Sequence, residues 1–109
     1  MLNERKASSL YYDHGSDMAR LLVVQPPATV RTRMLRADLL LDDAGFLVGV
    51  DVDPRAPSRI VVMLGPHEKV SKRTATQVGV SGDANGTVCE VRIGEAKRLC
   101  RAHEKSPYV

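Results

Sequence analysis

A chain of 109 residues with 43% hydrophobic and 27% charged residues has the size and make-up of one ordinary globular domain. That composition excludes a fibre or a disordered tract, and no apolar run approaches the roughly 18–20 residues a membrane helix requires. The net charge of +3 divides unevenly: residues 1–54 carry six Lys/Arg against eight Asp/Glu, residues 55–109 ten against five. The second half is therefore the part able to meet phosphates or an acidic protein surface.

Residues 1–9 read as a flexible lead-in to a single domain over 10–105. Leu10-Tyr11-Tyr12 and Met18–Val24 flank the turn formers Asp13-His14-Gly15-Ser16-Asp17, which predicts a hairpin. Pro26-Pro27 stops the second strand, because proline has no ladder donor. Thr29–Arg33 alternates with period two, placing Arg31 and Arg33 on one face and Val30 on the other. Ala37–Leu41 and Phe46–Val52 are joined by Asp42-Asp43-Ala44-Gly45, where Gly45 supplies the positive φ of a short hairpin turn. Phe46, Val48, Val50 and Val52 share one face of the second arm, with Leu47, Gly49, Asp51 and Asp53 on the other.

Pro54–Pro57 is a loop, and Arg59–Leu64 is a continuous apolar strand suited to a central position. Gly65-Pro66-His67-Glu68 turns the chain. Val70–Thr76 has no clear period, and Gln77–Val80 is a short strand. Asn85-Gly86 is the preferred pair for a type I′ turn, and beyond it Val88, Glu90 and Arg92 alternate with Cys89, Val91 and Ile93. From Gly94 the period changes: Ile93, Ala96, Leu99, Cys100 and His103 recur at helical spacing, predicting an amphipathic helix over about 94–104, with a tail at 106–109. The fold class expected is mainly β (α+β), an antiparallel meander, sandwich- or barrel-like, with one C-terminal helix. Its core is aliphatic, since Trp is absent and Tyr11, Tyr12, Phe46 and Tyr108 are the aromatic residues.

Chemistry-bearing patterns are sparse. Neither G-x-x-x-x-G-K-[ST] nor G-x-G-x-x-G occurs, no nucleophile signature such as G-x-S-x-G is present, and no cofactor is expected. Cys89, Cys100 and His103 fall on predicted inward faces and form a three-ligand zinc set, with His14 or His67 as a fourth. Cysteine is also a small hydrophobe that cores bury, which is the reading preferred for both thiols. Asp42, Asp43, Asp51 and Asp53 match no calcium loop. Lys69, Lys72 and Arg73, with Lys97, Arg98 and Arg101 on the helix surface, make a basic set for nucleic acid or an acidic partner. Arg31, Arg33 and Arg36 resemble the arginine-rich entry of cyclic-dinucleotide-binding β-barrels, but the Asp/Asn-x-Ser-x-x-Gly motif that accompanies it is missing.

Tyr12-Asp13-His14-Gly15-Ser16-Asp17 with its following strand, and Ala37–Asp51 with its Gly45–Val50 hairpin arm, resemble a family of small prokaryotic domains of uncharacterised function. The resemblance spans about residues 10–53. It departs at Met18-Ala19-Arg20, where that family has a Leu-Tyr pair, and at Asp51, where it has Glu. It implies a β-meander and no activity.

The expected function is a non-catalytic bacterial binding or regulatory module that engages a protein partner, or itself, through a sheet face, a sheet edge or the basic helix. The alternatives are a nucleic-acid-associated protein and an enzyme of unrecognised class. Two cysteines, an N-terminus without an apolar leader and an excess of Arg over Lys (11 to 5) fit a reducing bacterial cytoplasm and no membrane partner.

Overall fold

The computed structural model describes residues 3–7, 9–25, 30–54, 60–64, 69–83 and 88–100. Among them eight strands form one sheet: β1 (Asn3–Lys6), β2 (Ser9–Asp13), β3 (Met18–Leu22), β4 (Arg31–Leu41), β5 (Leu47–Val52), β6 (Ile60–Met63), β7 (Lys72–Gly82) and β8 (Val88–Gly94). Their spatial order is β1-β6-β5-β4-β7-β8-β3-β2, antiparallel throughout except for β1 beside β6. The protein is thus mainly β, as the alternating pattern predicts, and the sheet curls into a half-barrel.

Two hairpins, β2–β3 and β7–β8, and the meander β4-β5-β6 are the local units, and the long β4–β7 pair joins them. β4 and β7 pair over their full length, Arg31 with Gly82 through Leu41 with Lys72. Neither length is visible in the sequence. Residues 34–36 of β4 and 72–76 of β7 lack alternation because they are largely exposed on both faces.

Asn3–Lys6, expected to lie in the lead-in, forms β1, and the Ala7 N–H extends its pairing by donating to the Met63 carbonyl at 2.8 Å. The chain then passes to β2, at the opposite edge of the sheet, through residues 7 and 8. The gap from Lys6 to Ser9 spans at most about 11 Å. The two edges therefore approach one another at this corner, which is what curls the sheet.

The concave face carries the core. Leu21, Ile93, Val50, Val62, Val78 and Val91 are fully buried there, each stabilising the fold by about 1.5–3 kcal/mol relative to exposure. Tyr12 is the aromatic member of this otherwise aliphatic cluster. The β4–β5 turn matches the expected one: Gly45 has φ +90°, and Asp42 Oδ1 accepts from the Ala44 and Phe46 N–H groups, both at 2.9 Å.

β5 departs from the expected two-faced strand. Leu41 pairs with Leu47 while Leu40 pairs with Gly49, so Val48 is the extra residue of a bulge. The bulge sends Leu47 and Val50 into the main core and Val48 into a second cluster with Leu40 and Val61, against which Met63 packs. All six β5 residues are consequently buried, Asp51 included.

The predicted helix is corrected over its described part. Gly94 ends β8, Glu95 takes φ +52°, and residues 95–100 form bends and a turn, with the Leu99 N–H donating to the Ala96 carbonyl at 2.9 Å. Residues 101–104 lie outside the described residues, as does the 106–109 tail. The helical spacing arose because Ile93, Ala96 and Cys100 all enter the core and Leu99 packs against it, but from a strand end followed by a turn. This segment crosses the concave side: the Ala96 N–H donates to the Asp17 carbonyl at 3.2 Å, and the Leu99 carbonyl accepts from the Leu47 N–H at 2.8 Å.

Candidate functional site

On the convex face the register of five strands builds two rows of side chains. One row runs Tyr11, Arg20, Arg92, Gly79, Met34, and the next runs Ser9, Leu22, Glu90, Ser81, Thr32. Glu90 sits at the middle, with its side chain only 6% exposed. Arg20 grips it through two bonds, Nε to Oε1 at 3.0 Å and Nη2 to Oε2 at 2.9 Å, and Arg92 Nε donates to Oε1 at 2.6 Å. Burial of the Glu90 carboxyl works to raise its pKa, but the hydrogen bonds and charges of the two guanidinium groups outweigh it and hold the group below the usual carboxylate range. The reciprocal bond from Glu90 raises the pKa of Arg20.

The two guanidinium groups stay about half exposed. With one carboxylate between them the cluster keeps a net positive charge, and each arginine retains N–H groups that Glu90 does not use. Beside them lies a cavity of about 360 Å³ lined by Ser9, Tyr11, Arg20, Leu22 and Glu90. Gly79 leaves the row low between Arg92 and Met34, with Arg92 Cβ and Met34 Sδ at its flanks. Met34 (62% exposed) and Tyr11 (36%) stand at the two ends. Fixed arginines between a tyrosine and a methionine can recognise a carboxylate with apolar neighbours. Tyr, Met and Arg are the residue types enriched at protein interfaces.

The sequence-predicted basic set is only partly assembled. Lys69 and Lys72 are exposed at the start of β7, and Lys97 and Arg98 are exposed on the 95–100 turn. Pairing brings these groups to one end of the sheet, since Leu99 bonds Leu47, Leu47 pairs with Leu41, and Leu41 pairs with Lys72. Arg73 instead lies on the convex face, bridging Asp38 at 3.2 Å and Asp51 at 2.8 Å, which commits its charge to the fold. Arg101 lies outside the described residues.

Of the zinc set, Cys89, Cys100 and His14 are among the described residues, with the His14 ring edge-on to Tyr12 at 4.8 Å. Tyr12, Ala19 and Ile93 are register neighbours, and Cys100 lies close enough to Tyr12 to influence its ionisation. Cys89 is four residues back along β8, about 13 Å from Ile93 at strand spacing. Both cysteines are buried, as the packing interpretation expects, while His103 and His67 lie outside the described residues. Among the described residues no group of His, Cys, Asp or Glu is placed to hold a metal ion. No helix among them is long and apolar enough to cross a membrane.

Asp17 acts as a latch for the crossing segment. It adopts φ +52°, and its Oδ1 accepts both the Tyr12 hydroxyl at 2.5 Å and the Lys97 N–H at 2.8 Å. The bond to Asp17, aided by burial, pushes the Tyr12 pKa up to about 12. A phenol whose pKa rises on folding adds stability that is intact below the unfolded value near 10. That contribution is lost as pH climbs towards 12. Tyr12→Phe should therefore flatten the fall in urea midpoint between pH 10 and 12. A fall as steep as that of the parent protein would show that the latch contributes nothing.

No family model matches the chain, and neither a curated protein nor a solved structure matches it.

Proposed function

We propose that the protein is a non-catalytic binding or regulatory module of the bacterial cytoplasm that engages a protein partner through the convex face of β2, β3, β8 and β7. The observation that carries this reading is the row Tyr11–Arg20–Arg92–Gly79–Met34 beside the Glu90 cavity. Arginines already fixed by a buried carboxylate lose little freedom on binding, and that preorganisation favours affinity.

A second reading, association with nucleic acid, is supported by the convergence of Lys69 and Lys72 with Lys97 and Arg98 at one end of the sheet.

One experiment addresses both. A photoreactive phenylalanine placed at position 11 should trap a single protein of defined mass in the producing cell, and Arg20→Ala with Arg92→Ala should cut the adduct at least about tenfold, a loss typical of hot-spot residues. The same group at position 97 should trap no nucleic acid. Adducts with nucleic acid at position 97 and none at position 11 would overturn the first reading in favour of the second.

A further inference from the structure

β4 is paired along its whole length by β7, but β5 covers its other side only from Ala37 to Leu41. The last rung is the Asp53 N–H donating to the Arg36 carbonyl at 2.8 Å. Asp53 then takes φ +50°, and Pro54, which has no N–H, follows it, so the β5 ladder ends there. In an antiparallel ladder the backbone groups of alternate residues point to the same side. Met34 and Thr32 share the phase of Arg36, so their N–H and C=O groups face the side β5 has left. Among the described residues no strand pairs with them there.

We propose that this edge, Arg31–Arg36, is a docking site for an extended acidic segment of a partner protein, which adds to the sheet as a further strand. It goes beyond the convex-face reading, adding a second contact on the side of β4 away from β7. Three of the six edge residues, Arg31, Arg33 and Arg36, are exposed arginines, and Met34 offers an apolar contact between them. Proteins commonly guard exposed edges with cations. Such a guard rejects neutral and basic strands but favours an acidic one. It also disfavours a second copy of this chain, because two β4 edges paired about a twofold axis with Thr32 opposite Met34 would set Arg33 opposite its own copy, and like charges directly opposed are destabilising. The eleven-residue ladder with β7 holds the template rigid before any partner arrives.

The test uses isotope-labelled full-length protein and a capped heptapeptide of alternating valine and glutamate, with two controls. In one, lysine replaces glutamate. In the other, the peptide nitrogens facing β4 are methylated. The acidic peptide should move the amide resonances of residues 31–36 and slow hydrogen exchange at Thr32 and Met34, and neither control should do so. Met34→Pro removes an open-side N–H without touching the β7 ladder. It should weaken binding on the order of tenfold, the scale of a lost backbone bond. Arg20→Ala should leave peptide binding intact. No shift at 31–36 with millimolar acidic peptide, equal binding of either control, or shifts at these amides caused by protein concentration alone would overturn the proposal. Shifts confined to Arg20, Glu90 and Arg92 would overturn it while leaving the convex-face reading standing.

Discussion

Arg73→Ala should cost about 3 kcal/mol of folding stability, close to the loss expected when one partner of a buried ion pair is removed. Asp38 and Asp51 lie directly opposite one another on β4 and β5, and two carboxylates so placed repel. Arg73 reaches over from β7 and binds both, with Nη2 on an Asp51 side chain that has no exposure to solvent. The strand neighbour of Asp51 on β6 is Val61, a member of the second apolar cluster, which offers the carboxylate no polar side chain in place of the guanidinium. Asp51→Asn in the Arg73→Ala background should recover about half of the loss, because an amide carries no charge to bury. Arg73→Lys should restore little, since an ammonium lacks the fork that spans two acceptors. Urea unfolding of the four proteins checks this, and a cost below about 1 kcal/mol for Arg73→Ala would show that Asp51 is stabilised by other means.

Gly49→Ala should be nearly as damaging, at about 2–3 kcal/mol, or a fall in Tm of roughly 10 °C for a domain of this size. A Cβ at this position would lie 2.7 Å from Met63 Sδ and 2.8 Å from the Val62 carbonyl oxygen. The thioether can swing away. The carbonyl belongs to β6, held between β5 and β1, so relieving the overlap means spreading paired strands. Gly94→Ala is the matched control: nothing lies within 4 Å of its added carbon, and its effect should stay within about 0.5 kcal/mol. Scanning calorimetry that ranks the two substitutions equally would refute the packing argument.

These sites show what sequence alone conveys. The β2–β3 hairpin, the Asp42–Phe46 turn and the alternation of β8 were legible, because each is set by neighbours in the chain. β1 was not, since Asn3–Lys6 has no apolar alternation and owes its conformation to β6, far along the sequence. The Val48 bulge was hidden because Leu47–Val52 alternates as well for a regular strand as for a bulged one. Glu90 and Arg92 could be placed on one face from spacing, but Arg20, which completes their cluster, is brought there by the pairing of β3 with β8. Lysines and arginines marked the basic half, yet charge counts could not separate Arg73, spent on Asp38 and Asp51, from Lys97 and Arg98 at the surface.

The bridging of both sheet edges by one short stretch also sets an order of assembly. Of the eight strands β1 leaves the ribosome first, yet it has no partner until Ile60–Met63 has been synthesised, and β2 gains a complete neighbourhood only after β8 has docked on β3. Contacts so distant in sequence close slowly. The joining of β3 to β8 is therefore the seam fastened last, and until then the flank of β3 stands open to other chains.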